Sequence, residues 1–329
     1  MVAWPAPDPV TVDTVDDAVL TSLTPEWTAL WRALGEPSPF ASPAWVLAWA
    51  GTHAPGRTRA VVVRRDGRLV ALAPAFVWEG ALLAAGTGPS DEASILTDAA
   101  HAPEVLEGLV GLARTLGATR VDLRQLHPTD PLVGAPAPRG VDSRTEPDES
   151  CPAAPITGEA GLGAMPGKWR RKLGYTRRRA EALGGYAIER LTGDAVTGGH
   201  ADLQRLHAKR WRAEGEPGVL GEPLQRALLE RALPALDAAG SLRLYRLIHA
   251  GEVAAVLCAF VSGSRLCFYA CGVDPDRAEL GAGTLLIAHA IEAAAAEGLT
   301  LADFLRGEER YKAHWGATPR PRMRRVVTV

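Results

Sequence analysis

Apolar and polar positions recur along this chain with the periods of helices and short strands. Residues 1–20 form an irregular lead-in that could hold a short strand. Pro25 to Leu34 sets Trp27, Leu30, Trp31 and Leu34 on one face behind a first-turn proline, which predicts a helix. Glu36 to Pro43 is a proline-rich turn, and Ala44 to Trp49 starts another helix. Arg59 to Arg65 and Arg68 to Ala73 form a hairpin through Asp66-Gly67, a strong turn signal. Phe76 to Trp78 and Leu82 to Ala85 pair through Glu79-Gly80. Pro103 to Leu116 is a helix with Val105, Leu106, Leu109, Leu112, Ala113 and Leu116 inward. Arg120 to Leu126 is a strand.

His127 to Pro155 is rich in proline and carries Glu146, Asp148 and Glu149, so it reads as a surface excursion holding the domain boundary. Met165 to Leu183 is a basic helix with Trp169, Leu173, Thr176, Ala180 and Leu183 in a stripe. Its cations are a solvated face or an anion-binding wall. Tyr186 to Arg190 is a strand. Ala201 to Glu214 is a helix whose inward stripe holds His207 and Arg210 among Leu203, Leu206 and Trp211, either as a satisfied core pair or as a polar pocket floor. Pro223 to Leu236 is a further helix. Leu242 to His249 and Val253 to Val261 form a hairpin at Ala250-Gly251.

The stretch from Cys267 to Trp315 organises the rest. An apolar strand leads to Gly281-Ala282-Gly283-Thr284, which opens an Ala/Leu/Ile helix closed by Gly298. A strand from Leu299 to Leu305 then runs into a charged, aromatic turn. Small residues let a ligand approach the unpaired N–H groups of a helix start, and no acidic side chain lies between Gly281 and Ile291. An ordinary βαβ turn explains the same residues.

The halves repeat. The hairpins around Gly67 and Gly251 lie at an offset of 184, and the helix ends at Gly117 and Gly298 at an offset of 181, which brings Asp122 onto Asp303. The first copy has Asp91, Glu92, Glu104 and Glu107 around its helix start, where carboxylates compete with an anion. The anion-binding copy is expected to be the second.

Composition narrows the classes. With 329 residues and 47% hydrophobic content, about two domains can bury sizeable cores. A net charge of -2 gives no global attraction to DNA. The cysteines Cys151, Cys258, Cys267 and Cys271 have no metal-ligand spacing, and the three in predicted strands read as buried thiols. No apolar run reaches the ~20 residues that span a bilayer, and no signal core is seen, so a cytoplasmic protein without a membrane or metal partner is expected.

The order helix, β-hairpin, strand, glycine turn, helix, strand resembles the GCN5-related N-acetyltransferase (GNAT) fold. PFASPAWVLAW at Pro39 to Trp49, LHAKRWRAEGEPG at Leu206 to Gly218 and DFLRGEERYKAHWG at Asp303 to Gly316 resemble the CelD-like branch of tandem GNAT proteins, which is related to the Fem-type peptidyltransferases. The resemblance implies an α/β (α+β) chain of two tandem GNAT-like domains, each a mixed, mostly antiparallel sheet flanked by helices. It makes 1–150 a degenerate copy and 151–329 the acyltransferase. Of the GNAT pattern Arg/Gln-x-x-Gly-x-Gly/Ala only Gly281 and Gly283 carry over, because Arg277 lies one residue too far ahead.

The same resemblance implies acyl-CoA, acetyl-CoA by default, as donor. Gly281, Ala282, Gly283 and Thr284 would hold its pyrophosphate. Cys271, Gly272 and Val273 would pair with its pantetheine amides, with a backbone N–H near Gly272 polarising the thioester. Tyr311 is the expected proton donor, Glu308 or His207 the base. Trp169, Arg210, Trp211, Tyr269, Asp303, Arg306, Lys312 and Trp315 are expected around the acceptor, a small-molecule or peptide amine. Three readings stay open: an acyl-CoA or acyl-carrier-protein-dependent acyltransferase, a Fem-like ligase using aminoacyl-tRNA, and a non-catalytic binding module. Monomer and homodimer are both compatible.

Overall fold

The periodic segments fold as follows in a computed structural model, which describes residues 10–215 and 218–329. The start of the lead-in (1–9) and Glu216-Pro217 of the LHAKRWRAEGEPG segment lie outside the described residues. In chain order the elements are β1 (Val10–Asp16), α1 (Asp17–Ser22), α2 (Thr24–Ala33), α3 (Pro43–His53), β2 (Arg59–Arg65), β3 (Arg68–Trp78), β4 (Ala81–Ala84), α4 (Ala102–Thr115), β5 (Arg120–Leu126), α5 (Pro131–Gly134) and β6 (Ser143–Ser150). There follow β7 (Ala153–Pro155), α6 (Gly167–Ala182), β8 (Ala187–Leu191), α7 (Ala195–Glu214), α8 (Pro223–Ala238), β9 (Leu242–His249), β10 (Glu252–Ser262), β11 (Arg265–Val273), α9 (Ala282–Ala296), β12 (Leu301–Asp303) and β13 (Pro321–Thr328).

The chain divides into two compact units. One runs to Glu149 and takes in Pro321–Val329; the other is Ser150–Arg320. Among the described residues the first holds a seven-stranded sheet, β1-β2-β3-β4-β5-β13-β6, and the second a six-stranded sheet, β7-β12-β11-β10-β9-β8. Both are mostly antiparallel with one internal parallel pair, β4 with β5 and β11 with β12. That pair is joined through α4 in one unit and α9 in the other, the right length of crossover for neighbouring parallel strands.

The repeat is visible in the backbone. Asp66-Gly67 and Ala250-Gly251 both take left-handed conformations (φ 52° and 74°, 51° and 79°), which suit the twist of the hairpins they close. Asp122 and Asp303 are both buried and both bound to arginine, Asp122 to Arg124 and Arg324, Asp303 to Arg265. In the second unit α9 packs its Leu285, Leu286, Ala290, Ile291 and Ala294 onto β9–β11, and its small residues let the helix sit close to the sheet.

Several expectations are corrected. Phe76–Trp78 is the end of β3, not a separate strand. The excursion at 127–155 contains β6 and β7; of its prolines at 128, 131, 136, 138, 147, 152 and 155, Pro147 lies within β6 and Pro155 ends β7. Leu183, placed on the inward stripe of the basic helix, is exposed because α6 ends before it. The strand expected from Leu299 to Leu305 is only β12, since the chain turns at Leu305 (φ 56°). β13, unanticipated in the sequence, leaves the second repeat and inserts beside β5 of the first sheet, outside the 151–329 block.

Candidate active site

The site grows from the way β11 outlasts β12. β11 pairs with β10 along its length, through a bulge at Tyr269. It pairs with β12 only from Arg265 to Cys267. Beyond Cys267 the β12 side of β11 faces no strand among the described residues. Phe268 to Val273 therefore present backbone N–H and C=O groups on that edge. Gly272 faces the other way, into α7: a Cβ there would lie 2.9 Å from the Leu203 carbonyl oxygen and 3.1 Å from the His207 nitrogen. Glycine is what lets α7 lie flush on the strand.

β11 delivers this edge to the start of α9. Asp274 ends the strand, accepts from the Asp276 amide and pairs with Lys209, which also holds Asp276 at 2.7 Å. Gly281 then takes φ 66° and α9 begins. The helix start has no side-chain cap and no acid in its first turn. Thr284 bonds back to the Gly281 carbonyl at 3.0 Å. The Ala282 and Gly283 amides have no carbonyl four residues back in the helix, so they are the outward donors. Arg277 is drawn away, to the His249 ring at 3.0 Å and its carbonyl at 3.3 Å. Basic helix α6 lies alongside, close enough that a Cβ on Gly281 would be 2.7 Å from Thr176 Cγ2.

The equivalent place in the first unit is filled by its own chain. After β4 the segment up to His101 folds back: Leu96 and Leu72 exchange both backbone hydrogen bonds at 2.9 Å, and the Ala93 amide reaches the Gln125 carbonyl at 3.3 Å. Trp45 Nε1 donates to Ser90 Oγ at 2.8 Å, and buried Glu92 pairs with Arg322 at 2.8 Å. α4 opens with Glu104 in its first turn.

Tyr311 stands where β11 and β12 part. Its ring meets Phe304 edge-on at 6.2 Å, and Phe304 stacks on Phe268 at 4.8 Å. Burial pushes the phenol's pKa up, as do the Glu309 carboxylate and the Cys271 thiol, while Arg210 opposes them. Burial pushes the Cys271 thiol up to about 12, again against Arg210. A thiol held protonated is no nucleophile at neutral pH. His207 is buried with Nδ1 unpartnered; burial, then the Arg210 charge, lowers its pKa, so the ring is neutral. Trp211 lies 5.8 Å from the His207 ring, and the Arg210 guanidinium 5.8 Å from Trp211.

The structure thus gathers Tyr311, Cys271, Arg210 and His207 around one strand. Arg210 is exposed, with its guanidinium over Trp211, so of the two readings of His207 and Arg210 a fully buried core pair does not describe them. Other expected residues are occupied elsewhere. Asp303 is buried, accepting from Arg265 and from the Leu305 amide. Trp315 is in the core. The Lys312 ammonium is surrounded by the carbonyls of Leu305, Arg306 and Gly307 and by Glu309, so it does not face an acceptor. Trp169 stacks on His314 at 3.4 Å, under Lys172. Tyr269 accepts from Gln225 at 2.5 Å. Glu308 and Thr284 are exposed. Sequence reasoning missed Glu309 and Phe304. Glu309 was legible only as the i−3 neighbour of Lys312, a pairing that also explains its nearness to Tyr311.

An open strand edge running to a bare helix start defines a GNAT-type acyltransferase fold, here in tandem. A family profile described as an acetyltransferase (GNAT) domain matches residues 167–313. The second unit thus holds a GNAT domain, and beyond that stretch the chain is matched through its fold alone. Among solved structures it is similar to FemX, with 12% identity, a TM-score of 0.65 and 96% of each chain covered. It is also similar to L-PGS from Bacillus licheniformis (13%, 0.62, covering 92% of this chain and 90% of that one). A third is a tandem GNAT protein from the clavulanic acid biosynthesis pathway (14%, 0.51, covering 97% and 98%). No curated protein matches it by sequence. No helix among the described residues is long and apolar enough to cross a membrane.

Proposed function

We propose that the second unit transfers an acyl group, acetyl by default, from acyl-CoA directly to a primary amine of a small molecule or peptide, and that the first unit is the degenerate copy. The setting is cytoplasmic and the branch CelD-like. The observation that carries this is the edge of β11 beyond Cys267, which β12 does not cover, followed by an α9 start with no side-chain cap. A diphosphate fits that start: two open amides, a helix dipole and no carboxylate in the first turn. The Cys271–Val273 backbone pairs with the pantetheine amides, and an N–H near Gly272 polarises the thioester oxygen.

In the transfer the amine nitrogen bonds to the thioester carbon and the C–S bond breaks. The amine proton leaves through His207, neutral and therefore able to accept, or through water held between it and the amine. The sulfur takes the proton of Tyr311, whose raised pKa keeps it protonated at neutral pH. No covalent enzyme intermediate is needed.

Coenzyme A is expected to raise the melting temperature. Tyr311→Phe is expected to lower kcat by about 100-fold, the usual contribution of a positioned proton donor, with the CoA-induced shift intact. Unchanged turnover would remove Tyr311 from the reaction, and no shift with CoA would remove the donor assignment.

A second reading has its own observation. α6 exposes Lys168, Arg171, Lys172, Arg178 and Arg179 around Tyr175, itself 58% exposed, beside the α9 start. A polyanionic carrier such as aminoacyl-tRNA suits that face. Binding of tRNA that falls steeply with salt, without binding of CoA, would favour it.

A further inference from the structure

The turn carrying Tyr311 is built around a lysine. β12 ends at Asp303, whose carboxylate takes the Leu305 amide at 2.9 Å. Leu305 then adopts φ 56° and Gly307 φ 105°. These left-handed residues rotate successive carbonyls toward one point instead of alternating them. The Leu305, Arg306 and Gly307 oxygens converge there, at 3.1, 2.8 and 2.9 Å from Lys312 Nζ. Glu309 adds a carboxylate oxygen at 2.8 Å. The lysine side chain is only 3% exposed. Four oxygens around a dry point form the kind of cage that holds a desolvated cation, and here the cation is tethered to the chain.

We infer that Lys312 is the positioning residue of the proposed proton donor: its ammonium holds the 305–309 turn in the one shape that keeps Tyr311 against β11. This rests on the reading of Tyr311 given above. Tyr311 precedes Lys312 directly and begins the short helical turn Lys312–Trp315, so the clamp is transmitted through a single peptide. Without the ammonium, three inward carbonyl dipoles and a carboxylate repel each other in a site with little water. The turn relieves this by opening, and the phenol moves with it. The α9 start is a separate stretch of chain, so donor binding is not expected to change.

The test compares Lys312→Ala, Lys312→Met and Tyr311→Phe with acetyl-CoA and any amine the wild type accepts. Both lysine variants are expected to lose about 100-fold in kcat, the scale of a misplacement near 1 Å. KM for acetyl-CoA should stay within about threefold, since ground-state donor contacts are untouched. Methylammonium chloride should restore kcat of Lys312→Ala about tenfold by refilling the cage, and tetramethylammonium, too large to enter, should not. Lys312→Ala added to Tyr311→Phe should cost nothing further, because both act on the same proton transfer.

If both lysine variants fail to fold, Glu309→Gln takes their place. It removes one charge from an exposed rim and should lower kcat at unchanged KM. Retained kcat in a folded, CoA-binding variant overturns the inference, as does a loss confined to KM or an equal response to both ammonium salts. Should Tyr311→Phe itself turn over normally, the donor assignment fails instead, and the two failures are told apart.

Discussion

Replacing Gly281 by alanine tests how the helix start is made. Two costs can be worked from the structure. Alanine at φ 66° pays about 1 kcal/mol for the left-handed conformation. Its Cβ would also lie 2.7 Å from Thr176 Cγ2, well inside contact distance. Overpacking of that kind costs about 2 kcal/mol. The sum, about 3 kcal/mol, corresponds to a melting shift of roughly 9 °C for a unit of this size. The second cost depends on one methyl group, since Thr176 Oγ1 lies at 3.9 Å. In a Thr176→Ser background the methyl is gone, and Gly281→Ala should cost only about 1 kcal/mol, a coupling of about 2 kcal/mol in the double-mutant cycle. Urea unfolding of the four proteins measures it. CoA-induced stabilisation should be lost in Gly281→Ala and partly return in the double variant. A Gly281→Ala cost equal in both backgrounds to within about 0.5 kcal/mol would refute the contact between α6 and the α9 start.

Arg277→Ala should lower CoA affinity by no more than about threefold, because Arg277 is tied to His249; a hundredfold loss in a calorimetric titration would make it a phosphate ligand. Asp130→Asn probes a half-buried carboxyl whose pKa is raised to about 6 by burial, against the Leu132 amide from which it accepts. The native state holds that proton more tightly than the unfolded chain, so the group's stabilising contribution is complete below about pH 4 and is lost as pH rises through 6. Asparagine should therefore stabilise by about 3 kcal/mol at pH 8 and by almost nothing below about pH 4, and an equal gain at both pH values in urea titrations would contradict the burial argument.

Much of this was readable in the residues. β9 and β5 have the predicted limits because their ends are set by local turn chemistry: Asp66-Gly67, Ala250-Gly251 and Gly117 dictate the backbone whatever surrounds them. The bare start of α9 was legible for the same reason. β6 was not, since SRTEPDES has little strand propensity and becomes a strand by lying next to β13. β13 itself pairs with a segment some two hundred residues earlier, a distance that no local pattern encodes. Lys312 looked like a ligand-binding cation because a sequence displays its charge and hides the left-handed residues that turn carbonyls inward.

The insertion of β13 beside β5 limits how far this protein is modular. The stretch matched by the GNAT profile, 167–313, includes neither β7 nor β13. Grafting that stretch alone into another gene would leave β12 with a naked flank where Ala153–Pro155 normally lies, an invitation to self-association. Ending the gene at residue 313 would equally open a slot between β5 and β6 in the front sheet. Although the sequence reads as two repeats, the strand that follows the second repeat is a working member of the first unit's sheet, so neither repeat can be cut out as a contiguous cassette.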